Sequence, residues 1–128
     1  MSGKDASLRA LVVDDEKIIA DTLAMILNRN GFSAQAVYSG EDAVEAAKSL
    51  VPELLLSDIM MGELSGIDAA IQIQRTAPSC KIFLISGHSS TFDDFRAAIK
   101  NDHGFEILMK PVHPSLLLER LRTAFQAI

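Results

Sequence analysis

The sequence predicts an α/β fold: a doubly wound (βα)5 sandwich, with a five-stranded parallel sheet and helices on both faces. Three observations lead there. Short apolar runs alternate with helix-period stretches five times along the chain. The runs are rich in branched residues and mostly lack polar alternation, as suits strands buried on both faces. The connections between them are short, as right-handed crossovers in such a sandwich require.

The elements follow in order. The first strand covers about Leu8 to Val13, and a helix follows with Ile19, Thr22, Leu23, Ile26 and Leu27 at helical spacing. Gly31 stands just past it as a stop. Ser33 to Val37 alternates and reads as a strand nearer an edge. Ser39, with Asp42 three residues on, marks a variant capping box opening the second helix. Ala43, Val44, Ala46, Ala47 and Leu50 give that helix its apolar face, and Pro52 ends it. The third strand is about Leu54 to Ser57, and a helix with Ile67, Ala70 and Ile71 follows before Pro78. The fourth strand is about Lys81 to Ile85, with a fourth helix from near Thr91 to Asn101 carrying Phe92, Phe95, Ala98 and Ile99. The fifth strand is about Glu106 to Met109. Pro114 is placed as first residue of a last helix with Leu117, Leu121 and Phe125.

The 128 residues, 48% hydrophobic, fit one domain over 1–128 with its core at about 8–127. A net charge of −5 and the lack of a Lys/Arg cluster argue against direct nucleic-acid binding. The apolar runs are too short to span a bilayer, and Met1-Ser2-Gly3-Lys4-Asp5 lacks a signal-peptide core. The single cysteine, Cys80, cannot pair within the chain; a cytoplasmic, reducing setting and a buried, inert thiol are expected.

Four apolar runs end in polar groups: Asp14-Asp15, Asp58, Ser86-Gly87 and Lys110-Pro111. In a parallel sheet all four emerge at the carboxyl edge, where open α/β sheets bind ligands. Three carboxylates gathered there repel one another unless neutralised, and a hard cation such as Mg²⁺ takes oxygen ligands of this kind. Singly, each residue has a plainer reading. Asp14 and Asp15 suit a helix N-terminus, Lys110 a solvated strand end, and Ser86 a common strand terminator. The ordered set is the specific signal.

On these residues, from about Leu8 to Phe125, the sequence resembles the receiver domain of two-component response regulators, a CheY-like family. Asp58-Ile59-Met60-Met61 followed by Gly66 also resembles the family's phosphorylation loop. The resemblance implies a flavodoxin-like strand order 2-1-3-4-5. It implies that Asp58 accepts a phosphoryl group from a phosphohistidine of a sensor histidine kinase or histidine phosphotransfer protein. Asp15 and Asp58 would bind Mg²⁺ with the Met60 backbone carbonyl, Asp14 acting through water. Lys110 would contact the phosphoryl group, Ser86 would reorient to bond it, and Lys110-Pro111 would be a cis peptide. The end of the first helix near Ile18 and Ile19 would dock the donor, one isoleucine facing the core and the other exposed. The fourth helix, fifth strand and fifth helix would form the output face for an unidentified partner, in a monomer or weak dimer. Such a protein signals rather than turning over a substrate.

The sequence departs from the family at several points. Ile107 stands where Tyr or Phe is usual three residues before the lysine, and its odd offset puts it on the face opposite Lys110. Phe105 shares the face of Ile107. Gly62 replaces a common Pro, and Gly87 a more usual Ala, favouring mobility or close backbone approach. Met60 and His88 lie two residues beyond Asp58 and Ser86, where the family tunes phosphate loss; His88 positions a water or faces solvent. His88, His103 and His113 lack zinc-like spacing. Two other functions compete. One is a degenerate receiver acting as a phosphorylation-independent interaction module, which Ile107 keeps open. The other is a haloacid dehalogenase-type phosphohydrolase, which expects an Asp two residues after a strand-one nucleophile rather than the adjacent Asp14-Asp15.

Overall fold

Apolar runs without polar interruption become strands that are covered on both sides. The computed structural model describes residues 7–61, 64–87 and 104–125. Within them lie β1 (Leu8–Val13), α1 (Lys17–Asn28), β2 (Phe32–Val37), α2 (Gly40–Leu50), β3 (Leu54–Asp58), α3 (Gly66–Thr76), β4 (Lys81–Ser86), β5 (Glu106–Met109) and α4 (Pro114–Ala124). The helix expected over Thr91 to Asn101 lies outside the described residues, as do Gly62, His88 and His103.

All four strand pairings are parallel, in the order β2-β1-β3-β4-β5. Every residue of β3 is buried, which is why that strand reads as an unbroken apolar run. β2 is paired on one side only, and its mixed burial explains its alternating sequence.

Side-chain alternation sorts the core into two layers. Leu11, Val13, Leu55, Ile82 and Leu84 face α2 and α3, meeting Ala43, Ala47, Ala70 and Ile73. Ala10, Val12, Leu54, Leu56, Phe83 and Ile85 face the other way, meeting Leu23 and Leu27 of α1 and Leu117 and Leu121 of α4. Burying each large aliphatic side chain contributes about 1.5–3 kcal/mol.

The helix boundaries have local causes. Ser39 Oγ accepts the Asp42 N–H at 3.0 Å, and Ser65 Oγ accepts the Asp68 N–H at 3.1 Å. α1 stops at Asn28; Asn30 Nδ2 donates back to the Ile26 carbonyl at 2.7 Å, and Gly31 takes φ +94°. Pro114 is the first residue of α4. Phe125 lies just past α4 rather than within it, and its ring meets Phe32 edge-on at 5.9 Å.

α3 begins directly against the end of β3. The Gly66 N–H donates to the Ile59 carbonyl at 2.9 Å, and a Cβ on Gly66 would collide with the Asp58 carbonyl and lie 2.9 Å from Ile59 Cα. Both obstacles are backbone, so no rotamer change relieves them. Gly66→Ala is expected to lower stability by about 3 kcal/mol, the upper range for overpacking. Chemical denaturation checks this, and an unchanged midpoint would contradict the packing described.

Candidate functional site

The sheet ladder itself assembles the site. The Asp14 N–H donates to the Val37 carbonyl at 3.3 Å, which holds the residue after β1 at the sheet edge. Asp58 ends β3 in register with Ile85, and the Ile59 N–H donates to the Ile85 carbonyl at 3.0 Å. Ser86 ends β4 fully buried, and its carbonyl accepts the Lys110 N–H at 2.9 Å. Asp14, Asp15, Asp58, Ser86 and Lys110 thus all stand at the carboxyl ends of neighbouring strands, and Lys110-Pro111 is cis.

Carboxylate oxygens of Asp14, Asp15 and Asp58 lie within 4.8 Å of one another. Asp14 and Asp58 are buried, at 1% and 5% exposure, while Asp15 is exposed. Lys110 Nζ stands 3.4 Å from Asp58 Oδ1 and 3.8 Å from Asp14 Oδ2. Asp14 Oδ1 accepts the Glu16 N–H at 2.9 Å. Its Oδ2 is a buried oxygen without a hydrogen-bond partner.

Burial dominates the electrostatics. It pushes the Asp58 carboxyl up to about 6; the neighbouring Asp14 charge adds to this, and Lys110 only partly offsets it. Asp14 is also raised, again first by burial, against the Glu16 N–H and Lys110. One lysine therefore leaves two buried acids undercompensated. An all-oxygen, acidic, partly open cluster with a buried oxygen that lacks a hydrogen bond fits a hard divalent cation.

The segment after Asp58 alternates. Ile59 and Met61 are buried in the α2/α3 layer, while Met60 between them is exposed. The Ser57 hydroxyl donates to the Asp58 carbonyl at 3.0 Å. A Cβ on Gly87 would make only ordinary contact with Lys110 Cδ, at 3.5 Å, so close approach does not require that glycine. Ile107 and Phe105 both pack into the α2/α3 layer, whereas Lys110 lines the opposite side with Ile85. Cys80 is buried, and burial pushes its thiol up to about 12.

Ile18 is 81% exposed while Ile19 turns inward. Together they edge an apolar groove of about 580 Å³ that runs past Thr22 and Ile26 to Val112, Pro114 and Lys110. Sequence reasoning named Ile18 and Ile19 for docking and Lys110 for the site, but not the groove that joins them. The α4 side of the groove depends on how the turn after Lys110 packs against α1, which spacing does not reveal. It also missed Ser57 and Ser65, single hydroxyls whose only signal is a position beside a strand end or helix start.

Among the described residues, no helix is long and apolar enough to cross a membrane. The family model "Response regulator receiver domain" matches residues 10–122. The response regulator MprA of Mycobacterium tuberculosis is 30% identical over 116 residues, covering 91% of this chain and 50% of that protein. The DNA-binding response regulator MtrA of Mycobacterium leprae is 30% identical over 115 residues, covering 89% and 49%. The chain thus spans about half the length of these curated relatives. A two-component transcriptional regulator from Clostridium phytofermentans superposes with a TM-score of 0.76 at 28% identity, covering 94% of this chain and 93% of that one. A CheY-like receiver domain protein from Methanospirillum hungatei gives a TM-score of 0.81 at 24% identity, covering 94% and 95%.

A raised carboxyl pKa ties stability to pH. Asp58 holds its proton up to about 6 in the folded, metal-free protein, against about 3.9 in an unfolded chain. Its contribution favours the native state fully below about pH 4 and is lost as pH rises through 6. Asp58→Asn is expected to raise the metal-free melting temperature at pH 7 by roughly 4 °C per kcal/mol relieved, with little effect at pH 4. Millimolar Mg²⁺ is expected to raise the wild-type value at pH 7. Thermal scans across this range check both; a variant whose profile parallels the wild type would contradict the charge crowding.

Proposed function

Because the chain belongs to the response regulator receiver domain family, we propose that it takes a phosphoryl group on Asp58 in a two-component phosphorelay and changes its surface for a partner. The observation that carries this reading is the gathering of Asp14, Asp15 and Asp58 within 4.8 Å, with Lys110 Nζ 3.4 Å from Asp58.

An Asp58 carboxylate oxygen attacks the phosphorus of a donor phosphohistidine. The P–N bond breaks, its electron pair leaves with the imidazole, and an acyl phosphate forms on Asp58. With its carboxyl near 6, Asp58 is mostly ionised at neutral pH, as a nucleophile must be. Lys110 Nζ moves its contact from the carboxylate to the incoming phosphoryl oxygens, and the Ser86 hydroxyl donates to one of them. Asp15, Asp58 and the Met60 carbonyl would hold Mg²⁺, with Asp14 acting through water, and the bound ion supplies the charge neutralisation that phosphoryl transfer needs.

The exposed Ile18 and the apolar groove beside Lys110 support docking of a donor helix there, from a sensor histidine kinase or histidine phosphotransfer protein. The output partner would read the region including β5 and α4. Ile107 leaves that step without the family's usual aromatic, and Phe105, packed in the same layer, is the ring nearest to it in sequence. We place the protein in the cytoplasm as a monomer or weak dimer, a signalling domain with no direct nucleic-acid contact of its own. DNA binding is a property named for the MtrA relative, which is about twice as long.

Incubation with Mg²⁺ and a small acyl phosphate, read by intact mass, tests the reading. A single phosphate adduct is expected in the wild type and none in Asp58→Asn. An unmodified wild type with every donor would overturn it, and steady turnover of varied phosphomonoesters would point to a phosphohydrolase instead.

A further inference from the structure

The strand β2 has a neighbour on one side only, β1. The Leu8 N–H donates to the Gly31 carbonyl at 3.1 Å, and the Asp14 N–H donates to the Val37 carbonyl at 3.3 Å. Odd-numbered residues of this stretch therefore turn their backbone groups toward β1, and Phe32, Ala34 and Ala36 turn theirs outward. An outward row of N–H and C=O groups is a template for a further strand.

Natural proteins guard such edges with charge, proline or a bulge. From Phe32 to Val37 the strand reads Phe-Ser-Ala-Gln-Ala-Val, with neither charge nor proline. Its register with β1 runs without a bulge from Leu8 opposite Phe32 to Val13 opposite Val37. The outer strand on the other side, β5, begins instead with Glu106, which Arg120 meets at 2.8 Å.

The midpoint of β2 is covered in another way. Asn28 Oδ1 accepts the Ala34 N–H at 2.7 Å, and Asn28 Nδ2 donates to the Ala34 carbonyl at 3.3 Å. One side-chain amide thus meets both outward groups of one residue, as the directly opposite residue of an antiparallel strand would. Asn28 is the last residue of α1, and the last turn of that helix holds no basic residue. Lysine or arginine there would suit the helix dipole, and asparagine is a middling helix former. Helix preference does not account for this residue; its two bonds to Ala34 do.

We propose that Asn28 closes the β2 edge of the domain. Its amide occupies the place that an antiparallel strand would take at Ala34, above all β2 of a second copy pairing about a twofold axis. The inference stands apart from the phosphoryl reading of the carboxylate cluster.

The test compares wild type, Asn28→Ala and the double variant Asn28→Ala with Gln35→Lys, by sedimentation velocity and amide NMR from about 10 µM to 1 mM, where weak pairing shows itself. Gln35 is exposed on β2, so the lysine puts a charge on the edge without restoring the lost bonds. At the low concentration, Ala34 amide exchange is expected to be slow in wild type and at least roughly tenfold faster in both variants, the loss of about one hydrogen bond's protection. At the high concentration, Asn28→Ala is expected to move toward dimer mass, with the Phe32 to Val37 amides shifting. Wild type is expected to show no such shift at β2, and the double variant to stay like wild type. Unchanged Ala34 exchange in Asn28→Ala would overturn the proposal. So would association that leaves the β2 amides unmoved or survives undiminished in the double variant, or no association at all. Should Asn28→Ala not fold, Asn28→Ser, whose side chain is too short to span both Ala34 groups, decides in its place.

Discussion

Two buried carboxylates and a third exposed one share a space less than 5 Å across, and the rest of the domain is arranged around keeping them there. At an effective dielectric of about 20, two unit charges at that separation repel by about 3–4 kcal/mol. Lys110 answers part of this, at 3.4 Å from Asp58 and 3.8 Å from Asp14. The rest shows as carboxyl groups that hold their protons more tightly than free ones do. A site of this kind is under electrostatic tension, which a bound cation would relieve.

The sheet makes that crowding sustainable. β1 and β3 are neighbours, as are β3 and β4, and β4 and β5, so backbone hydrogen bonds fix the spacing of Asp14, Asp58, Ser86 and Lys110 independently of their charges. The large apolar layers on both faces supply the stability against which the repulsion is set. Gly66 then lets α3 start directly against the backbone of Asp58 and Ile59, where a larger residue would displace backbone.

Much of this was legible in the sequence because one physical cause wrote it twice. A strand covered on both faces must be continuously apolar, and it must stop where polar groups begin. The four strand ends therefore announced both the sheet and the site, down to β1 at Leu8–Val13 and β5 at Glu106–Met109. The Ser39 cap was legible from its partner at Asp42. What spacing does not encode is packing between distant segments. The approach of Gly66 to the Asp58 backbone and the α4 side of the groove beside Ile18 depend on how helices lean on the sheet. The balance at Asp58 was also hidden. The residues announce a lysine beside acids, which favours an ionised carboxylate, but only the depth of burial shows that desolvation outweighs it.

We propose that these carboxylates are assembled to share a divalent cation. A crystal structure of the protein grown with Mg²⁺ tests it most directly. One octahedral ion is expected at about 2.1 Å from oxygens of Asp15, Asp58 and the Met60 backbone, with Asp14 reaching it through water and the carboxylates otherwise as they stand now. Carboxylates that turn away from one another, with the ion bound elsewhere or not at all, would contradict it.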